Sequence, residues 1–150
     1  MKATIEITNT QLHNLIKAVY LSDWVINAHR MTDEIDSDSR SFEQYVLGIL
    51  YNAGCKDLID FDTELNMYFV NDNLAESFHE IIDDYEDETF WDELASRLAE
   101  RDYYEKNKPK NSETDNDRAK RVAAIFSIED KYNEEFERYG IERLKIRNNP

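Results

Sequence analysis

"HEIIDDYEDETFWDE", residues 79–93, carries eight acidic side chains and neither Lys nor Arg. How this stretch is read decides how many helices the chain has. Before it, Leu74, Phe78, Ile81 and Ile82 fall on one helical face; after it, Phe90, Trp91, Leu94, Ala95 and Leu98 do the same. Between the two sets, "DYEDE" (84–88) interrupts the apolar spacing. We read the interruption as an end followed by a fresh start. One helix then covers about 73–85, opened by Asn73 and Glu76, and the next covers about 88–105. Glu88, Asp92 and Glu93 in the first turn of the second helix suit the positive end of its dipole. Glu93 and Arg97, four apart, make a favourable pair.

Working outward, "TNTQ" (8–11) is a capping box in which Gln11 reaches back to Thr8. Leu12, Leu15, Ile16 and Val19 follow at helical spacing, predicting a first helix over about 9–31. "SFEQ" (41–44) reads as a second capping box, with Phe42, Tyr45, Val46, Ile49 and Leu50 as the stripe of the helix it opens. Gly54 stands where a left-handed C-terminal residue is wanted. "LNMYFV" (65–70) has the composition of an edge strand after the turn-like "DFDTE" (60–64). The polar "KNKPKNSETDND" (106–117) reads as a mobile loop. Asp117 then caps a last helix over about 118–139, with Val122, Ile125, Phe126, Tyr132, Phe136 and Tyr139 on one face and Gly140 at its end. "ATIEIT" (3–8) and "IERLKI" (141–146) alternate polar and apolar residues. These readings predict a mostly α (α+β) fold: a single domain of about five helices, with a small two-stranded sheet pairing the N- and C-terminal segments.

The 150 residues are enough for one domain with its own core, and only three Gly and two Pro favour helices over a turn-rich β-fold. The net charge of −15 argues against direct nucleic-acid binding, which needs Lys and Arg to neutralise phosphates, and against docking on anionic lipid. No apolar run is long enough to span a membrane. A lone Cys55 and the lack of a secretory apolar region lead to the expectation of a cytoplasmic setting. Charge is unevenly placed: residues 57–93 contain no Lys or Arg, whereas residues 106–121 hold six bases and three acids.

The acidic run admits three readings. As a surface, Asp83, Asp84, Glu86, Asp87 and Glu88, with Trp91 beside them, would meet a basic protein partner or imitate nucleic-acid phosphate. As a metal site, Glu76 and His79 in "ESFH" (76–79) share a helical face, but a carboxylate-bridged di-metal centre wants two such motifs and further glutamates. No segment has the Gly and terminal Glu of a calcium loop. The third reading is a solvated face with no further role. Separately, "DWVINAHR" (23–30) puts Asp23, Asn27 and Arg30 on one face beside Trp24, which makes either a polar pocket or a buried network that fixes a helix crossing, with Asp23 paired to a distant Arg. Tyr103, Tyr104, Tyr132 and Tyr139 on the last two helices raise self-association through them.

No nucleophile elbow, phosphate-binding glycine loop or activated cysteine is present, and nothing singles out a catalytic carboxylate pair. The functional expectation is a non-enzymatic interaction protein without a cofactor, such as an adaptor, an inhibitor or an antitoxin-like neutraliser, with its acidic face toward a basic partner. The alternative is a metal-dependent protein using Glu76 and His79.

Overall fold

The computed structural model describes residues 4–108, 112 and 114–145. Its elements in chain order are α1 (Asn9–Asn27), α2 (Ser37–Asn52), β1 (Ile59–Asp62), β2 (Met67–Val70), α3 (Asp72–Lys106) and α4 (Asp115–Tyr139). The fold is mostly helical with one small antiparallel sheet among the described residues. The described residues form four helices rather than five, because the acidic stretch does not end a helix. α3 runs unbroken for 35 residues. Ile82 and Trp91 are nine residues apart, which is two and a half turns at about 3.6 residues per turn. The apolar spacing therefore changes phase across 83–88, and a change of phase looks like a break when the sequence is read alone.

The predicted pairing of the termini is also corrected. Residues 4–8 form no strand, Ile5 is 79% exposed, and residues 141–143 are a turn. Ala3 and Ile146 lie outside the described residues. The sheet is instead a hairpin of internal segments, with Ile59 opposite Val70 and Asp62 opposite Met67. Its turn is made by side-chain chemistry. Asp62 Oδ1 accepts from the Glu64 and Leu65 amides at 2.8 and 2.9 Å, and Asn66 takes a left-handed φ of 53°. A hairpin closes four residues of loop, whereas pairing the chain ends would order far more backbone before the first contact.

The chain divides into two compact units, Met1–Ile82 and Asp83–Pro150. In the first, Ile16, Leu47, Leu50, Ile59, Val70 and Phe78 form the apolar core. α1 begins with the expected Thr8–Gln11 capping box and ends at Asn27, short of residue 31. α2 opens five residues earlier than read from the sequence: Asp36, not Ser41, is its N-cap and accepts from the Ser39 amide at 2.8 Å. Its buried stripe is Glu43, Leu47 and Leu50, so Phe42, Tyr45 and Ile49 face solvent. Gln44 has a different job from capping. Its side-chain amide accepts from Tyr68 N at 2.8 Å and donates to Tyr68 O at 2.9 Å, acting toward β2 as the peptide group of a third strand would. Gly48 lets the Tyr68 ring approach, since a Cβ there would meet it at 2.9 Å.

In the second unit, Ala95, Ala99 and Phe136 are buried. The small Ala side chains of α3 admit the rings of Trp91 and Tyr132, which lie 5.5 and 5.8 Å from that of Phe136. α4 starts at a capping box of Thr114 and Asp117, so Asp117 is its third residue and not its cap. Gly140 ends it with a φ of 53°. The expected Glu93–Arg97 pair is present at 2.8 Å.

Gln44→Ala strips both bonds from Tyr68 and leaves a half-buried backbone edge without its partner. The first unit is expected to lose about 1–3 kcal/mol in urea unfolding, with faster hydrogen exchange at the Tyr68 amide. Unchanged stability and exchange would show that the edge of β2 does not depend on Gln44.

Candidate functional site

The last turns of α1 carry the polar face read from the sequence, and there it continues the buried stripe. Ile16 and Val19 are followed on that stripe by Asp23 and Asn27, all four buried. A carboxylate withdrawn from water is costly unless its lone pairs are filled. Asp23 Oδ1 accepts from Asn27 Nδ2 at 2.8 Å and from Ser39 Oγ at 3.0 Å. Its Oδ2 pairs with Arg40 Nη2 at 2.9 Å. Asn27 Oδ1 in turn accepts from the Asp36 amide at 2.8 Å, just where Asp36 caps α2. One chain of bonds thus ties the end of α1 to the start of α2.

Asp23, Trp24 and Asn27 line a cavity of about 310 Å³ within the first unit. Arg30 does not join them. Its Nε donates to Ile26 O at 2.9 Å and its Nη1 to Glu34 O at 3.1 Å, closing off the end of α1. The distant arginine expected on Asp23, unnamed in the sequence reading, is Arg40; Glu43 was missed, and both line the cavity. A signal existed: Glu43 is in step with Leu47 and Leu50 on a helix that begins at Ser37. Taking Ser41 as the cap hid it.

Glu43 is the strained member. Burial first, and the Asp23 carboxylate second, push its pKa up to about 6, against the opposing pull of Arg40 and a hydrogen bond from the Gln44 side chain. Arg40 Nε lies 3.8 Å from Glu43 Oε2, beyond hydrogen-bond range, and has no hydrogen-bond partner among the described residues. Burial also raises the Tyr20 hydroxyl, with Glu43 adding to the effect. That hydroxyl lies 2.9 Å from His79 Nε2.

His79 is therefore engaged with α1, and Glu76 is exposed one turn away. Among the described residues, no group of three or more His, Cys, Asp or Glu side chains is placed to hold a metal ion.

The acidic run has a different character. Residues 83–88 are all exposed. Among the described residues, Asp83, Asp84, Glu86 and Glu88 have no ion pair, and Asp87 accepts only from Trp91 Nε1 at 3.1 Å. Tyr85 and Phe90 are 61% and 51% exposed, available to a partner, whereas Trp91 is half-buried with its ring against Phe136. Two tyrosines of the last two helices make contacts within the second unit, while Tyr104 and Tyr139 are 38% and 41% exposed. Tyr132 donates to Asp102 Oδ2 at 2.5 Å, which holds that carboxyl below its ordinary range, and the Tyr104 hydroxyl accepts from Arg121 at 3.2 Å. No described helix is long and apolar enough to cross a membrane.

Because the folded pKa of Glu43 lies above its ordinary value of 4.5, the native state holds that proton more tightly than the unfolded chain. The cost of ionising it is absent below pH 4.5 and complete above about pH 6, amounting to about 2 kcal/mol. The unfolding free energy of Glu43→Gln minus that of the wild type is expected to rise by this amount across the window. A flat difference would mean that Glu43 titrates as an exposed carboxyl does.

No family model, curated protein or solved structure matches the chain.

Proposed function

We propose that the chain is a non-enzymatic interaction module, an adaptor or inhibitor, whose acidic α3 segment meets a basic surface on a partner protein. The observation that carries this reading is the run of six successive exposed residues, 83–88, in which five are carboxylates and none is a cation. On a helix, Glu80 and Asp84, Asp83 and Asp87, Asp84 and Glu88, and Glu88 and Asp92 are like-charged pairs four apart. Each such pair costs the isolated helix about 0.2–0.5 kcal/mol. A face whose only task is solubility relieves this by interspersing Lys and Arg, and α3 does not do so here. A basic partner would remove the repulsion, and Tyr85 and Phe90 offer apolar contact beside the charges. From 80 to 92 the carboxylates span about 18 Å of helix at about 1.5 Å per residue, long enough to engage several basic side chains.

The test is a variant carrying Asp83→Asn, Asp84→Asn, Glu86→Gln, Asp87→Asn and Glu88→Gln. Relief of repulsion is expected to leave it as stable as the wild type or about 1 kcal/mol more stable. In affinity capture from host lysate, the wild type is expected to retain a basic protein that the variant loses. The wild type should also release it between about 0.1 and about 0.5 M salt. Capture of the same proteins by both would remove the acidic segment from the function.

A further inference from the structure

The cavity in the first unit contains charge that the fold does not balance. Asp23 is saturated by Asn27, Ser39 and Arg40. Glu43, only 8% exposed, has Arg40 Nε as a neighbour at 3.8 Å, too far for a hydrogen bond. The two carboxylates face a single guanidinium, so the cavity carries a net negative charge when Glu43 is ionised. An anion would meet repulsion there. A metal ion would find no group of three ligating side chains among the described residues. Beside small and aliphatic residues, the remaining walls hold aromatic side chains, among them Tyr20 and Trp24 from α1 and Tyr68 from β2. Aromatic faces beside a desolvated carboxylate favour an organic cation, through attraction to the ring electrons and through burial of an apolar body. A volume of about 310 Å³ suits a compact ligand.

We propose that this cavity is a binding site for a small organic ammonium ion, with its N–H donors directed at the Glu43 carboxylate and its apolar body against Tyr20, Trp24 and Tyr68. This site is independent of the acidic segment of α3. The ammonium group adds a charged donor to the Arg40 and Gln44 side chains already near Glu43, and the carboxylate must be ionised to receive it. The titratable and charged groups around Glu43 are Asp23 and Tyr20 of α1, Arg40 of α2, Tyr68 of β2 and, through Tyr20, His79 of α3.

The test is titration of the ¹⁵N-labelled protein with three probes of one shape and different charge: 2-phenylethylammonium, 2-phenylethanol and 3-phenylpropionate. The ammonium is expected to give saturable shifts at the Trp24 indole and the Glu43 and Tyr68 amides, while the alcohol and the carboxylate give none. Lowering the pH from about 7.5 to about 5 should weaken its binding about tenfold as Glu43 takes up a proton. Glu43→Gln, shown to be folded by its dispersed amide spectrum, should weaken it similarly and abolish the pH dependence, which separates Glu43 from His79. N-acetyl-lysine N-methylamide distinguishes two sources of the same chemistry. Tighter binding than the phenyl probe points to a lysine side chain of a peptide, and weaker binding to a free amine. Absence of saturable shifts at these residues, equal binding of all three phenyl probes, or undiminished binding by Glu43→Gln would overturn the proposal.

Discussion

Asp23 sits 5% exposed with each oxygen engaged: Asn27 from its own helix, Ser39 and Arg40 from the next. Removing a carboxylate from water costs several kcal/mol, and only well-placed donors offset it. Those donors exist only if the chain turns so that the first turn of α2 lies against the last turns of α1. The Asn27 bond to the Asp36 amide fixes the same turn through the backbone. Once α2 is set this way, Glu43, Leu47 and Leu50 face inward, and Gln44 reaches the edge of β2. The corner that closes the fold thereby also builds the cavity, because Arg40 is held close on Asp23 and lies 3.8 Å from Glu43, the second carboxylate of the cavity wall.

Signals contained within a few residues were legible in the sequence. The Thr8–Gln11 box, the Asp23–Asn27 spacing, the Glu93–Arg97 pair and the glycines after α2 and α4 each depend on one turn of chain, and each is present. The misreadings share another cause. Apolar residues on α2 and α3 were assumed to mark the packed face, but on α2 Phe42, Tyr45 and Ile49 are exposed while a glutamate is buried. On α3 a phase change passed for a helix end. Alternation at the chain ends suggested strands, yet two such segments specify nothing about each other, whereas Asp62 and Asn66 specify a turn locally. Glu43 was missed, and the arginine on Asp23 was left unnamed, because their roles depend on where α2 starts.

The two polar regions differ in how their charges are treated. Around Asp23 the charges are matched nearly atom for atom, and such a network fixes one arrangement of its helices. Along 83–88 the carboxylates are exposed, mutually repulsive and without cations. The first kind of site makes structure and leaves one carboxylate facing a cavity. The second is a row of exposed like charges, for which we propose a basic partner. A recognition role for the α3 segment and a ligand role for the cavity follow from the same question asked of each charge, namely what satisfies it.

The claim that the Asp23–Arg40 pair sets the α1–α2 corner is tested most directly by a double-mutant cycle in urea unfolding, using Asp23→Ala, Arg40→Ala and the double variant. The account predicts that Asp23→Ala costs about 3 kcal/mol and that the double variant is more stable than the summed single effects by more than about 1.5 kcal/mol. Single effects that add to within about 0.5 kcal/mol would contradict it.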